Sequence, residues 1–301
     1  MILSSPLIKG PYAKGIVLII LANLVFSSQD GITKYLAEQY HVFSIIMIRY
    51  WAFVAFVLVL SMASKGGIRQ VARTKMPKMQ LARGVLLGLQ VCMAAYLFAH
   101  LGLIGTHVIF ASYPLMVTLF SIPLLGEKVG KWRLGAVLCG FAGVLVILRP
   151  GIAVIDPIAL LPLFAAATFA LYNIMTRYVA RTDSGETSFF WTGVGGFLTL
   201  TLIGPFFWDP PQGNDIYWMA ILCVTGTLGH YLMIKALEVA EASMLQPFSF
   251  LQLVFASIIG VLFYQEVLSV HNVLGAMIIV ASGLFIIWRE RQRQTVPITR
   301  P

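Results

Sequence analysis

Apolar residues in this chain come in long runs separated by short polar stretches, from about residue 15 to residue 288. A helix that crosses a bilayer needs about 20 mostly apolar residues. Ten segments meet that requirement, near 15–36, 43–62, 80–99, 102–125 and 132–149, then near 157–178, 187–207, 217–236, 243–264 and 271–288. The third and fourth run almost continuously, with a tight turn around Gly102 to Gly105. The pattern predicts an all-α integral membrane protein of ten transmembrane helices.

Composition sharpens that picture. The 301 residues are 59% hydrophobic and only 11% charged, where a soluble domain is nearer a quarter charged. So few charges cannot cover a water-facing surface. The three cysteines, Cys92, Cys139 and Cys223, all lie in apolar runs and read as small buried hydrophobes. No metal-ligand spacing occurs, and no cofactor is expected.

The net charge of +9 does not point to nucleic acid, because the basic residues form no face or stripe. They alternate between loops instead, as orienting charges do. With the N-terminus in the cytoplasm, Lys9, Lys14, Lys65, Arg69, Arg73, Lys75, Lys78, Arg83, Lys128, Lys131, Arg133, Arg177, Arg181, Lys235, Arg289, Arg291, Arg293 and Arg300 fall on the cytoplasmic side. Only Lys34 and Arg149 fall on the other side, and Arg49 lies inside a span. The expected location is the plasma (inner) membrane, multi-pass, with both termini cytoplasmic. The basic flank at Lys9 and Lys14 reads as the edge of a first spanning helix, not as a cleaved leader.

The two halves resemble each other. EKVGKWRLGAVLCGFAGVLVILR, from Glu127, aligns with EVLSVHNVLGAMIIVASGLFIIWR, from Glu266. One gap matches Glu127 with Glu266, Leu134-Gly135 with Leu274-Gly275, Gly143 with Gly283, and Arg149 with Arg289. Earlier, Lys34-Tyr35-Leu36-Ala37 matches Arg177-Tyr178-Val179-Ala180, which sets Asp30 opposite Asn173. Each half carries an odd number of spans, so the second enters from the opposite side. That is an inverted repeat, an architecture of alternating-access transporters, with substrate near the midplane between the repeats. The expected division is 12–150 and 151–291 for the repeats and 292–301 for a cytoplasmic tail.

With these motifs the chain resembles the drug/metabolite transporter superfamily, in its EamA branch. Gly126-Glu127 closes span four, Gln265-Glu266 closes span nine, spans five and ten are glycine-rich, and Arg49-Tyr50 sits early in span two. The resemblance runs from about residue 12 to 291. It implies ten helices, a cavity lined mostly by spans 1, 3, 4, 6, 8 and 9, and transport of amino acids, vitamins, nucleosides or related compounds. It associates spans five and ten with packing or dimer contacts, which leaves a homodimer open. One departure is that Pro114 of span four has Leu253 as its counterpart, and the nearest proline there is Pro247.

Ionisable groups inside a bilayer are expensive and read as functional. Asn23, Ser27, Asp30 and Lys34 share one face of span one, and Asp30 is the sole carboxylate well inside a predicted span. Asp30 could couple a proton, or be braced by Lys34 or Arg49. Arg49 could hold a substrate carboxylate through its planar fork, or brace Asp30 or helix-end carbonyls. The candidate substrate contacts are Asp30, Asn173, His107, His230 and Gln246, with Tyr96, Tyr231 and Phe250 as apolar walls. Pro114 and Pro247 are candidate kinks or gates. Gly84 and Gly88 form a GxxxG packing motif. Glu127 and Glu266 read as structural, bonding amides at the start of the next helix.

Rival readings are an intramembrane enzyme, a channel and a membrane scaffold. No HExxH occurs, no Ser-His pair has motif context, no filter repeat is present, and no soluble domain is predicted to receive a signal.

Overall fold

The structure is a computed structural model that describes residues 11–64, 66–126, 130–148, 157–240 and 242–294. Within these, several helix-end side chains, including those of Gln246 and Pro247 in the tenth helix, are not described, so those two expectations fall outside it. Glu127, Arg149 and residues 295–301 of the expected tail also lie outside the described residues.

The described chain is helical throughout. In order, its helices are α1 (Pro11–Ala37), α2 (Val42–Ala63), the short α3 (Gly67–Ala72), α4 (Pro77–Phe110), α5 (Tyr113–Leu125), α6 (Lys131–Leu148), α7 (Pro157–Val179), α8 (Gly185–Ile203), α9 (Asp215–Val239), α10 (Ala242–Tyr264) and α11 (Val270–Gln294). A 3₁₀ turn, Gly204–Phe207, follows α8. Six helices (α1, α2, α4, α7, α8 and α9) are long and apolar enough to cross a membrane, and shorter apolar helices occupy the remaining predicted spans. Large side chains face outward along them, such as Leu202 at 75% and Phe263 at 76% exposure. Water does not tolerate apolar patches on that scale, and lipid does. The protein is therefore a multi-pass membrane protein.

Local chemistry sets the helix ends. Ser184 caps α8, its hydroxyl accepting from the Thr187 amide at 3.1 Å. Pro77 opens α4 where its missing N–H costs nothing. The third and fourth predicted spans differ from expectation. The chain turns sharply at Gly102 (φ 76°, ψ 172°), as foreseen, but the residues after it resume the helix as far as Phe110. A second break falls at Ala111–Ser112, and α5 restarts with Pro114 in its first turn. Pro114 thus opens a new helix instead of kinking a continuous one, because a first-turn proline forfeits no helical bond.

Helix packing follows the small residues. A methyl group on Gly84 would lie 2.7 Å from the Trp191 carbonyl oxygen and 2.8 Å from Gly195 Cα, so α4 and α8 touch backbone to backbone. On Gly88 it would lie 3.2 Å from Gly196 Cα. The GxxxG motif of α4 therefore meets a Gly-Gly pair of α8. A methyl on Gly143 of α6 would lie 2.8 Å from the Gly275 carbonyl oxygen of α11. α1 packs on α9 and α10, and α7 packs on α4 and α5. Of the cysteines, Cys92 is buried but Cys139 is exposed, a correction to the buried reading. It lies on the outward side of α6, where lipid serves an apolar thiol as well as a core does.

Candidate functional site: a buried polar cavity

A cavity of about 50 Å³ lies where α1, α2, α4, α7, α9 and α10 meet. Its polar lining is Gln29, Asp30 and Thr33 of α1, Arg49 of α2, Gln90, Thr106 and His107 of α4, His230 of α9 and Gln252 of α10. Its aromatic lining is Phe26, Phe98, Phe110 and Phe169.

The predicted polar face of α1 builds one wall. Asn23 donates to the Phe248 carbonyl at 3.0 Å and Ser27 to the Gln252 carbonyl at 3.1 Å, which seams α1 to α10. One turn further, Asp30 Oδ2 accepts from Gln252 Nε2 at 3.2 Å, and His107 Nε2 approaches it to 3.1 Å. The His107 approach lacks the direction of a formed hydrogen bond. The ring stacks on Phe98 with centroids 5.2 Å apart.

Neither brace expected for Asp30 is the one found. Lys34 points to Glu38 at 2.5 Å and lies 3.8 Å from Glu266. Lys34 lies one turn nearer the helix end, where those carboxylates are within reach. Arg49 forms no ion pair with a described residue, and its Nε and Nη2 have no hydrogen-bond partner. Yet Arg49 is 2% exposed, and its guanidinium packs against Gly226 of α9, where a methyl group would overlap it. His230 is also buried, with both ring nitrogens unpartnered. Its ring sits edge-on to Phe26 and parallel to Phe53.

The remaining candidates lie elsewhere. Asn173 turns its amide back onto the Phe169 carbonyl of its own helix at 2.8 Å. Tyr96 is 39% exposed and stacks on His100 outside the cavity, because Gln90, Ala94 and Leu97 hold the inward face of α4. Tyr231 packs edge-on against Phe189 beside two other surface grooves. Phe250 fills the space over Gly283 of α11. Sequence reasoning missed Gln29, Thr33, Gln90 and Thr106 as lining residues. Their signal was the same as for Asp30, a polar side chain deep in an apolar run.

Away from the cavity, two carboxylates hold the bundle ends. Glu266, after α10, accepts from the amides of Leu103 and Ile104 at 2.8 and 2.7 Å. The expected role of bonding backbone amides holds, but the amides are those freed by the Gly102 turn and not those of the next helix. At the other end, Asp183 in the α7–α8 turn accepts from Thr74, from the Lys75 amide at 3.2 Å and from Gln80 at 2.9 Å. Burial alone would raise its pKa, but these donors outweigh it and hold the carboxyl below its usual range. Gln80 also accepts from Arg83 at 2.8 Å, whose other donors reach Tyr172, Thr176 and the Ser188 carbonyl. Arg83, counted from the sequence among the cytoplasmic-side charges, is thus fully buried inside the bundle end.

A helical membrane bundle enclosing a small amphipathic cavity is the form of a solute carrier. Comparison with known proteins agrees. The model of the EamA-like transporter family matches twice, over residues 13–149 and 157–288, and the chain belongs to that family, within the drug/metabolite transporter superfamily. It is a small-metabolite transporter and not an enzyme. An S-adenosylmethionine uptake transporter of Rickettsia prowazekii (strain Madrid E) is 24% identical, over 93% of this chain and 95% of its own. A riboflavin transporter of Vibrio cholerae serotype O1 is 30% identical, over 95% of this chain and 97% of its own. One solved crystal structure shares the fold at a TM-score of 0.67 and 17% identity, covering 94% of this chain and 99% of the other.

Proposed function

We propose that the chain is a secondary transporter. It moves an organic metabolite by alternating access through the buried cavity, with residues 12–150 and 151–291 acting as inverted repeats. The observation that carries this reading is the cavity itself: polar groups from five helices converge on a space of about 50 Å³. A metabolite site needs roughly 300–1,000 Å³, so the helices must part to admit substrate. On this reading, the small cavity is a stage of the cycle in which the site is too narrow to hold substrate.

Three further observations support the repeat. One family model matches each half once. Each half contributes five apolar helices to the predicted spans, and an odd number reverses the second half. The packing is also reciprocal: the first helix of each half, α1 or α7, packs on the third and fourth spans of the other half. The charge asymmetry between loops supports cytoplasmic termini. Relatives named for S-adenosylmethionine and riboflavin transport suggest a substrate of that size.

The test is counterflow in proteoliposomes preloaded with one unlabelled candidate per batch: S-adenosylmethionine, riboflavin, amino acids or nucleosides. Transient accumulation of the matching labelled compound above empty liposomes is expected. Flux that neither saturates nor responds to preloading would reject a carrier in favour of a channel.

A further inference from the structure

Arg49 and Arg83 are both fully buried, yet they differ in one respect. Arg83 donates to Gln80, Tyr172, Thr176 and the Ser188 carbonyl. Arg49 has no such ring of acceptors; its Nε and Nη2 are unpartnered beside Gly226, and the residue lines the cavity. Leaving a buried guanidinium without acceptors costs several kcal/mol. A binding site tolerates that cost when the ligand brings the missing acceptors. Asp30 borders the same cavity, with Oδ2 engaged by Gln252 and His107, while Oδ1 accepts no hydrogen bond from a described residue.

Resting on the carrier reading above, we propose that Arg49 and Asp30 select a zwitterionic substrate. Its carboxylate is received by the fork of Arg49 and its cationic centre by Asp30, while its body lies among Phe26, Phe98, Phe110 and Phe169. The planar guanidinium presents two parallel N–H groups, which match a carboxylate and not a carbonyl. The carboxylate of Asp30 is the cavity's only fixed negative charge among the described lining residues. A neutral ring system would leave both buried charges uncompensated. The missing side chain of Gly226 leaves the room that the Arg49 guanidinium occupies.

The experiment combines counterflow with ligand-induced thermal stabilisation of the purified protein, so that a variant that binds without transporting is still read. The probes are L-tryptophan, L-methionine and S-adenosylmethionine, which carry both charges; tryptamine, which lacks the carboxylate; indolepropionate, which lacks the amine; and riboflavin. In the native protein at least one zwitterion is carried, and each one-charge analogue binds at least tenfold more weakly. Arg49→Gln erases the preference of tryptophan over tryptamine, whereas Arg49→Lys retains part of it. Asp30→Asn erases the preference over indolepropionate. Native protein that carries riboflavin and refuses every zwitterion overturns this proposal and leaves the carrier reading intact. Preferences unchanged in both variants overturn it as well. No response to any probe counts against both readings.

Discussion

The contact between α4 and α8 is close enough to predict the cost of one methyl group. In Gly84→Ala the new carbon lands 2.7 Å from the Trp191 carbonyl oxygen and 2.8 Å from Gly195 Cα. Non-bonded atoms rest at about 3.5–4.0 Å, so the two helices must separate by roughly 1 Å. Both opposing atoms are backbone, so no side chain can turn aside. Overpacking of this kind costs about 1–3 kcal/mol. Gly88→Ala meets Gly196 Cα at 3.2 Å and should cost less. Gly135→Ala on α6 meets nothing within 4 Å, and helix propensity favours it by up to about 1 kcal/mol. At roughly 2–4 °C per kcal/mol, thermal unfolding in one detergent should rank Gly84→Ala below Gly88→Ala, with Gly135→Ala at or above the native protein. Gly84→Ala is expected to lower Tm by about 2–12 °C. An unchanged Tm, or an equal loss in Gly135→Ala, would refute backbone contact at this crossing.

Three other outcomes follow from the same geometry. Glu266→Gln keeps the side-chain shape but loses the charge that accepts from Leu103 and Ile104. Charge-assisted bonds are worth about 1.5–3 kcal/mol each, so a loss of about 2–3 kcal/mol is expected in unfolding measurements. Asp183 has a lowered folded pKa, so its contribution is complete above the unfolded value. It fades as pH falls below about 4, and the acid side of the stability profile should flatten in Asp183→Asn. Gly226→Ala forces the Arg49 guanidinium off its seat and should reduce counterflow at least tenfold, while far-UV circular dichroism stays native.

The amount legible in the sequence tracked how local each cause was. Apolar run lengths predicted the helix limits of α1, α2, α7 and α9 within a few residues. The i, i+4, i+7, i+11 register of Asn23, Ser27, Asp30 and Lys34 predicted an inward face, and three of the four meet α10 through hydrogen bonds. Gly84 and Gly88 predicted close approach without naming α8 as the partner. Partner identity was the missing information throughout. Whether Asp30 meets Lys34, Arg49 or His107 depends on rotations between helices, which no spacing within one helix encodes. Tyr96 looked like a wall residue because its face could not be told from that of Gln90. The break at Ala111–Ser112 was invisible because Pro114 permits either a kink or a fresh start.

The reach of Glu266 also bears on how the protein is made. Its two amide partners precede it by 163 and 162 residues. At about 5–20 residues per second, a ribosome needs on the order of 10–30 s to cover that distance. For that interval the amides of Leu103 and Ile104 lack their final acceptor, and in hydrocarbon an unmet amide costs several kcal/mol. The nascent first half must keep its α4 turn near headgroups, water or a helper protein until α10 arrives. The first half therefore waits in an unfinished form, and synthesis of α10 and the Glu266 that follows it completes a turn within α4.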